Sequence, residues 1–438
     1  MIRRSRRSRR SRRARRCAPL LASLTAFALA SCGKQAEPPK PPESQEPSPE
    51  STPEPEVSCS YIVLIDAGSS GTRAYTYEIE SKEGGLPSLS ERSSHKIDAA
   101  LASFKTEPAR AGDAISELLK AEGSSLAALP DECEAKTPAA LMATGGMRLL
   151  EGEVGGADAA KAIYKAAGDA IAAAGLEPRF AGTISGEQEA LYGWLTINYA
   201  LGTLAGDGPT AGALDLGGSS TQVAFVPSDA GDAPTTTLTL AGKQFAVYAH
   251  SYLNYGLSQA MQYVADPSCY PKGVNKGKGR YASCVKKLAP VVTPKKCEAK
   301  HCGLATPGDA KNKLGVPQPP LPEGMEFHAT GNFYYAHKFV KAAGDTPGAL
   351  AEAAGGPKGK SGFCGEKWEE ITAQQQDVEP KLLERACFAA AWSSVLLETY
   401  GFARDAATLR WSETVGERDT SWTLGAALCS ITGCLAAK

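Results

Sequence analysis

Two short segments of this chain share one pattern, and each follows an apolar run that is typical of a buried β-strand. Residues 66–72 read DAGSSGT and residues 215–221 read DLGGSST, so both have the form D-x-G-x-S-x-T. The preceding runs are YIVLID at 61–66 and AGALD at 211–215. This repeat predicts two related half-structures, each with an aspartate at a strand end and a Gly/Ser turn behind it.

A turn of glycine and hydroxyl residues is suited to phosphate. Glycine allows close approach of backbone N–H groups, and such turns form anion-binding concavities. Two facing turns would hold a run of phosphates, while Asp66 and Asp215 would hold a hydrated divalent cation that offsets phosphate charge. Either turn alone is equally well explained as a hairpin with an aspartate cap, but the repetition favours a phosphate site. Further donors in and beside the first turn are Ser69, Ser70, Thr72 and Arg73.

Strand and helix patterns alternate along residues 59–438, which predicts an α/β architecture. Residues 266–325 are predicted to be mostly loop because they are rich in Gly, Pro and Lys. The apolar runs predict strands at 61–66, 141–144 and 211–215, with return strands at 74–80 and 221–226. Helical spacing is found at 109–121, 157–174, 187–201, 380–399 and 421–429.

The first 58 residues predict an export signal and a tether. Ten arginines in residues 3–16 precede an apolar stretch, 17–30, that is too short to span a bilayer. The sequence LASC at 29–32 resembles the bacterial lipobox, which predicts a signal peptide over 1–31 and lipidation of Cys32. Residues 32–58 predict a disordered Pro/Glu-rich tether. The alternative for the arginines, a nucleic-acid-binding arm, is disfavoured by the apolar stretch that follows them. We therefore expect an exported protein, lipid-anchored on the periplasmic or cell-surface face of a bacterial membrane.

Charge is distributed unevenly. The formal net charge of the chain is −1, but without the ten N-terminal arginines and the −4 of residues 33–58, the body at 59–438 carries −7. An acidic body predicts no nucleic-acid partner. The 42% hydrophobic and 22% charged residues exclude collagen-like, fully disordered and polytopic membrane proteins.

Ten of the 12 cysteines remain when Cys17 is assigned to the signal and Cys32 to the lipid. An even number in an exported chain predicts five disulfides, although spacing alone does not fix their pairing. A metal site around His301 is the alternative for one segment, but no second Cys/His pair would complete it. Proximity favours Cys297–Cys302, Cys364–Cys387, Cys429–Cys434 and Cys269–Cys284, which leaves Cys59–Cys133.

Glu189 lies in the first turn of the predicted helix at 187–201. An acid at this place usually stabilises the positive end of the helix dipole. It is also a candidate general base for a water molecule.

Five blocks in order resemble the conserved regions of the GDA1/CD39 family of nucleoside triphosphate diphosphohydrolases, or apyrases. A sixth, SWTLG at 421–425, resembles a later part of that family. The five blocks are DAGSSGTR at 66–73, ATGGMRLL at 143–150, SGEQEALYGWLTINYALG at 185–202, DLGGSSTQ at 215–222 and HSYLNYG at 250–256.

The resemblance implies an actin-like α/β fold of two RNase H-like domains, with the active site in the cleft between them. Domain I would comprise 59–185 and 411–438, and domain II would comprise 186–410. The implied reaction is hydrolysis of terminal phosphates of nucleoside tri- and diphosphates, such as ATP and ADP, by in-line attack of water with Ca²⁺ or Mg²⁺. We expect a monomer.

Site residues also follow from the resemblance. Glu189 would activate the water, and Ser220 and Gln222 would orient it. Asp66 and Asp215 would hold the metal through its water ligands, with Thr144 and Trp422 near the metal shell. His250, Tyr255 and Gly256 would give structural support. The phosphates would be bound by Gly68, Ser69, Ser70, Gly71, Thr72, Arg73, Gly217, Gly218 and Ser219.

Some positions depart from the family pattern. Gly145 replaces a usual Ala, and Asn254 replaces a Cys that is common in animal members. Leu257 and Glu398 stand where animal ectoenzymes often carry Arg that contacts the base. Tyr334 and Tyr335 are candidates for stacking on a base, although aromatic residues at this spacing also fit a core. The alternative functions are an exopolyphosphatase or guanosine pentaphosphatase, a sugar kinase, and a non-catalytic nucleotide-binding surface lipoprotein.

Overall fold

The computed structural model describes residues 59–206, 208–293, 302–305, 315–357 and 361–435. The predicted signal, the tether and the lipidated Cys32 lie outside these residues and stay predictions. The Cys297–Cys302 disulfide also stays a prediction, because Cys297 lies outside the described residues. Within the described part, no helix combines the length and apolar character needed to cross a bilayer.

The first lobe is a mixed sheet with helices on it. Strands β1 and β2 form an antiparallel hairpin that β3 extends, and β4 and β5 run parallel to β1, giving the order β3-β2-β1-β4-β5. The elements are β1 (Tyr61–Ala67), β2 (Thr72–Glu80), β3 (Ser88–Ile97), α1 (Ala109–Lys120), β4 (Pro138–Ala143), α2 (Gly145–Glu151), α3 (Gly156–Ala173) and β5 (Glu177–Thr183).

The second lobe contains a six-stranded sheet. Its strands are β6 (Gly212–Leu216), β7 (Ser220–Phe225), β8 (Thr235–Leu240), β9 (Lys243–Leu253), β12 (Phe327–Gly331) and β13 (Leu409–Trp411). The helices from this part of the chain are α4 (Gly186–Ala200), α5 (Leu257–Tyr263), α6 (Tyr281–Val292), α7 (Asn332–Phe339), α8 (Pro347–Gly355), α9 (Trp368–Gln374) and α10 (Pro380–Tyr400). Two small pairs, β10 (Cys302–Ala305) with β11 (Gly315–Pro317) and β14 (Thr414–Val415) with β15 (Arg418–Asp419), and the last helix, α11 (Trp422–Thr432), complete the described elements.

The two large sheets repeat one topology. The second has the order β13-β12-β6-β7-β9-β8, so β6, β7, β9, β12 and β13 correspond to β1, β2, β3, β4 and β5. The strand directions match as well: β6, β7 and β9 are antiparallel neighbours, and β12 and β13 continue parallel to β6. This repetition confirms the predicted α/β fold and the relation between the two halves.

Helices α4 and α11 belong to a core between the two sheets. Trp194 of α4 and Leu428 of α11 are fully buried in one apolar cluster with Leu64 of β1. A Cβ at Gly425 would lie 2.0 Å from the carbonyl oxygen of Tyr192, so only glycine lets the helices approach this closely. The C-terminal helix thus packs on α4 and also contacts β1 and β2. The predicted domain boundaries themselves stay a prediction.

Residues 266–325 contain more regular structure than their composition predicts. Helix α6 forms within them because Cys284, Leu288 and Val292 recur at helical spacing and are all buried. The surrounding Gly and Lys residues hide this short periodic run in the average composition.

Four of the five predicted disulfides are formed in the described part: Cys59–Cys133, Cys269–Cys284, Cys364–Cys387 and Cys429–Cys434. The bridge between Cys364 and Cys387 closes 23 residues, whereas that between Cys429 and Cys434 closes 5. A longer closed loop restricts the unfolded chain more strongly.

Replacing both Cys364 and Cys387 with alanine is therefore expected to lower the free energy of unfolding by about 3 kcal/mol. The same change at Cys429 and Cys434 should cost about 2 kcal/mol, because the shorter loop has less closure entropy. Urea denaturation of the two double variants measures both values. A larger loss from the short loop would contradict the loop-closure account.

Candidate active site

The two D-x-G-x-S-x-T segments form hairpin turns of the same register. Asp66 pairs with Arg73 across β1 and β2, and Asp215 pairs with Gln222 across β6 and β7. Each aspartate is therefore the second-last residue of its strand, seven residues before its partner. The hairpins place Arg73 and Gln222 at equivalent positions.

The turns are also hydrogen-bonded alike and lie against each other. The Gly68 N–H donates to the Gly71 carbonyl at 3.0 Å, and the Gly217 N–H donates to the Ser220 carbonyl at 2.9 Å. A Cβ at Gly218 would lie 2.4 Å from Oγ of Ser69, so the second turn directly faces the first. The structure thus brings the two predicted phosphate loops together.

A third turn, at the start of α2, touches both loops. A Cβ at Gly145 would lie 2.9 Å from Oγ of Ser220, and one at Gly146 would lie 3.0 Å from Cα of Ser69. Thr144 precedes this turn and donates its N–H to the carbonyl of Ala67 at 3.2 Å. The closeness of Ser220 gives a physical reason for glycine rather than alanine at 145.

Glu189 is buried at the start of α4 and paired with an arginine. Arg148 places Nη2 2.6 Å from Oε2 of Glu189 and 3.2 Å from Oγ of Ser220. Its Nη1 donates to the carbonyl of Ile184 at 3.1 Å. The helix itself begins with a capping box between Ser185 and Gln188, which fixes the backbone that presents Glu189.

Sequence reasoning missed Arg148 as a site residue. Its only signal was its place in the block at 143–150, and nothing in the spacing indicates a contact with a carboxylate 41 residues later.

Gln222 contacts both Glu189 and Ser220, the other two residues that are predicted to activate or orient the water. Its Nε2 lies 3.1 Å from Oε2 of Glu189, 2.8 Å from Oγ of Ser220 and 3.0 Å from Oγ of Ser251. Its Oε1 is buried and has no donor among the described residues. An acceptor without a donor beside a buried carboxylate is suited to hold a water molecule.

Three carboxyl groups share this buried site. Burial raises the pKa of Asp66 to about 8, and the negative charges of Glu189 and Asp215 act in the same direction. Burial and Glu189 raise the pKa of Asp215 to about 6 against a hydrogen bond from Thr330. Burial also raises the pKa of Glu189, and Arg148 opposes it. With all three carboxyl groups ionised, the site would carry one more negative charge than Arg73 and Arg148 offset, and the raised pKa values reflect this cost.

A divalent cation would suit this set of groups. Asp66 keeps part-exposed surface, yet its Oδ1 is buried without a hydrogen-bond partner among the described residues. Carboxylate oxygens are the ligands that Ca²⁺ and Mg²⁺ prefer. In the described part, no group of three or more His, Cys, Asp or Glu side chains is arranged to bind a metal directly.

Three residues predicted for the site, Thr72, Trp422 and Arg73, have side-chain partners that the sequence did not indicate. The Thr72 hydroxyl donates to the carbonyl of Ala99 at 2.6 Å, within the first lobe. Trp422 stacks on Tyr192, with ring centroids 6.3 Å apart, one helical turn beyond Glu189. Arg73 donates to the Tyr75 hydroxyl at 2.8 Å.

The tyrosines proposed for base stacking are held by one carboxylate. The hydroxyls of Tyr334 and Tyr335 donate to Glu413 at 2.8 and 3.1 Å. Tyr335 is 39% exposed, whereas the preceding Phe333 is fully buried. Of the three aromatic residues in this run, only Phe333 is therefore core.

The block at 250–256 supports the second loop. The N–H groups of Asn254, Leu257 and Ser258 donate to the carbonyls of Ser219, Gly217 and Gly218. A Cβ at Gly256 would lie 2.3 Å from the carbonyl carbon of Gly218. Tyr255 stacks on Trp392, and His250 packs edge-on against Tyr252.

The stability of the metal-free protein is expected to fall as pH rises. Asp66 has a pKa near 3.8 when exposed and about 8 in the folded chain, so folding binds a proton between these values. The stabilisation is complete below about pH 4 and is lost as pH rises through about 8. Thermal melts in chelator should show a lower Tm at pH 8 than at pH 6.

The Asp66→Asn variant should show a smaller fall in Tm over this range, because asparagine does not titrate. Asp169→Asn, at an exposed position paired with Lys165, is the matched control and should follow the wild type. Equal slopes for all three proteins would contradict the role of Asp66.

Comparison with known proteins gives consistent matches over nearly the whole body. The model of the GDA1/CD39 (nucleoside phosphatase) family matches residues 53–271 and 265–436. "Probable apyrase 3" of Arabidopsis thaliana is 30% identical over 415 residues, and the alignment covers 85% of this chain and 82% of that protein. "Ectonucleoside triphosphate diphosphohydrolase 8" of Homo sapiens is 28% identical, covering 86% and 83%.

A solved structure, of nucleoside triphosphate hydrolases from Neospora caninum, aligns with a TM-score of 0.55 at 14% identity. The alignment covers 84% of this chain and 92% of that one. At this identity, the likeness supports the fold alone.

Proposed function

Because this chain belongs to the GDA1/CD39 (nucleoside phosphatase) family, we propose that it hydrolyses the terminal phosphates of nucleoside tri- and diphosphates. The matched relatives are named as apyrases and nucleoside triphosphate diphosphohydrolases, and they cover most of its length. The acidic body is compatible with a polyanionic substrate, because loop N–H groups, two arginines and a cation would carry the recognition.

Glu189 is the general base in this proposal. Its carboxylate takes a proton from the attacking water, and a carboxylate with a raised pKa is the better proton acceptor. The buried Oε1 of Gln222 and the hydroxyl of Ser220 hold that water in line with the terminal phosphorus. Positioning and charge stabilisation then account for the rate, since phosphoryl transfer has a loose transition state.

The cation would be Ca²⁺ or Mg²⁺, held by Asp66 and Asp215 through water. When bound, it neutralises phosphate charge. The free Oδ1 of Asp66 supports this assignment, since it is a buried acceptor that a metal-bound water would satisfy. The hydroxyl of Thr330 fixes the position of Asp215 by donating a hydrogen bond of 3.0 Å to its Oδ1.

The two facing turns bind the phosphates in this proposal. Backbone N–H groups at the two turns and the hydroxyls of Ser69, Ser70 and Ser219 are the donors, and Arg73 adds a positive charge beside the first turn. Thr72 is left out of this set, because its hydroxyl is bound to Ala99. Tyr334 and Tyr335 are proposed to contact the base.

We further propose export and lipid anchoring through Cys32 on a bacterial membrane. The four disulfides of the described part support this location, because such bonds persist in oxidising compartments.

One observation carries the enzymatic proposal: Glu189, Ser220 and Gln222 meet beside two facing phosphate loops. The test is phosphate release from ATP and ADP by the purified protein with Ca²⁺ or Mg²⁺. We expect activity that chelator and the Glu189→Ala change both abolish. Release from polyphosphate alone, rising with its length, would favour the exopolyphosphatase alternative. Nucleotide binding without release would favour a binding lipoprotein.

A further inference from the structure

Arg385 of α10 reaches the second phosphate loop through one hydroxyl group. Its Nη2 donates to Oγ of Ser258 at 3.0 Å, and its Nε lies 3.4 Å from Sδ of Met261. Oγ of Ser258 in turn lies 3.4 Å from the point that a Cβ of Gly218 would occupy, where Ser69 also approaches. The guanidinium is therefore one hydrogen-bonded residue away from the contact between the two loops.

The partners of Arg385 are all neutral. No described carboxylate forms an ion pair with it, although its side chain is part-buried. Two lysines, by contrast, have carboxylate partners: Lys96 pairs with Asp98 at 2.6 Å, and Lys381 pairs with Glu379 at 2.7 Å. An arginine with unused donors and a fixed position is suited to bind a phosphate with two hydrogen bonds.

The contacts connect Arg385 to the reacting end only through the second loop. Arg148 joins Glu189 to Ser220, which ends the turn that contains Gly218. Ser258 donates its N–H to the carbonyl of Gly218, and Arg385 donates to Oγ of Ser258. Arg385 is thus separated from the general base by the residues of this turn and by Ser258.

We propose that Arg385 binds the third phosphate from the cleaved end of the substrate and so favours triphosphates over diphosphates. This rests on the proposed function, which places the cleaved phosphate beside Glu189. In a nucleoside triphosphate the third phosphate is the one attached to the ribose. In a diphosphate that position is occupied by the ribose itself, which has no charge.

The contact with Ser258 favours the phosphate chain over the base as the ligand of Arg385. Ser258 packs against Gly218 of the second loop, and the guanidinium is hydrogen-bonded to that serine.

The experiment compares ATP with ADP in Arg385→Gln, Arg385→Lys and the wild type. Arg385→Gln should raise KM for ATP about tenfold with kcat little changed, because one charged hydrogen-bonding contact is lost. KM for ADP should change less than about twofold. Arg385→Lys should restore part of the loss, since it keeps the charge without the fork. Arg110→Gln, an exposed change on α1, is the matched control.

Binding in the Glu189→Gln background separates this proposal from the proposed function. Calorimetry there should show that Arg385→Gln weakens inorganic tripolyphosphate about tenfold and leaves pyrophosphate unchanged. These affinities test Arg385 even if the wild type hydrolyses no nucleotide. Equal losses for ATP and ADP, with tripolyphosphate unaffected, would show a base contact and overturn the proposal. An unchanged affinity for all ligands in a variant of wild-type Tm would overturn it too.

Discussion

Replacing Glu189 with glutamine is expected to lower kcat for ATP and ADP by about 10³-fold, with KM within a few-fold of the wild type. Glutamine has almost the same volume and can still accept a hydrogen bond from Arg148 and Gln222. It cannot accept a proton, so the attacking water loses its base while the phosphate loops stay in place. Steady-state phosphate release with saturating divalent cation measures the effect.

Glu187→Gln is the matched control for this change. Glu187 lies in the same first turn of α4, but it is half exposed, and its Oε1 lies 3.7 Å from Nδ1 of His250. We expect near-wild-type activity from it. If the two variants lose activity equally, the effect belongs to the helix N-terminus, and Glu189 is not the base.

Replacing Arg148 with methionine is expected to lower kcat/KM about 10²-fold at pH 7. Burial already raises the pKa of Glu189, and Arg148 is the group that opposes this rise. Without the guanidinium, the pKa of Glu189 rises further, so a smaller fraction is ionised at neutral pH. The acid limb of the profile of kcat/KM against pH should move upward, and activity should partly return at high pH.

Two further variants sharpen this test. Arg148→Lys keeps a positive charge near Glu189 but cannot bridge Ser220 and Ile184 together, so its loss should be intermediate. Arg179→Met removes an exposed arginine, paired with Glu177, and should leave the profile unchanged. A loss of activity in Arg148→Met without any shift of the acid limb would mean that Arg148 acts on the phosphate and not through Glu189.

The two hairpins were predictable because the residues that form each one are close together in the sequence. An apolar strand, an aspartate and a Gly/Ser turn lie within a dozen residues, and the repeat at 215–221 adds a second copy of the same signal. The prediction of facing loops then follows from the relation between the halves. For the same reason α1, α3, α4 and α10 begin and end within two residues of their predicted bounds.

The contacts that complete the site were not predictable, because each joins distant parts of the chain. Arg148 meets Glu189 only because α2 and α4 both start beside the second loop. Tyr334 and Tyr335 are bound by Glu413, 79 and 78 residues away. Arg385 reaches Ser258 over 127 residues. A sequence pattern predicts which face of a helix or strand is buried. It does not indicate which polar side chain from a distant part of the chain will contact that element.

The equivalent register of the two hairpins has a consequence for substrate direction. The residue opposite the aspartate differs between the two hairpins: it is Arg73 in the first and Gln222 in the second. We infer that this difference helps to set the direction in which the nucleotide binds. The end that is attacked lies on the amide side, because Gln222 contacts Glu189 there.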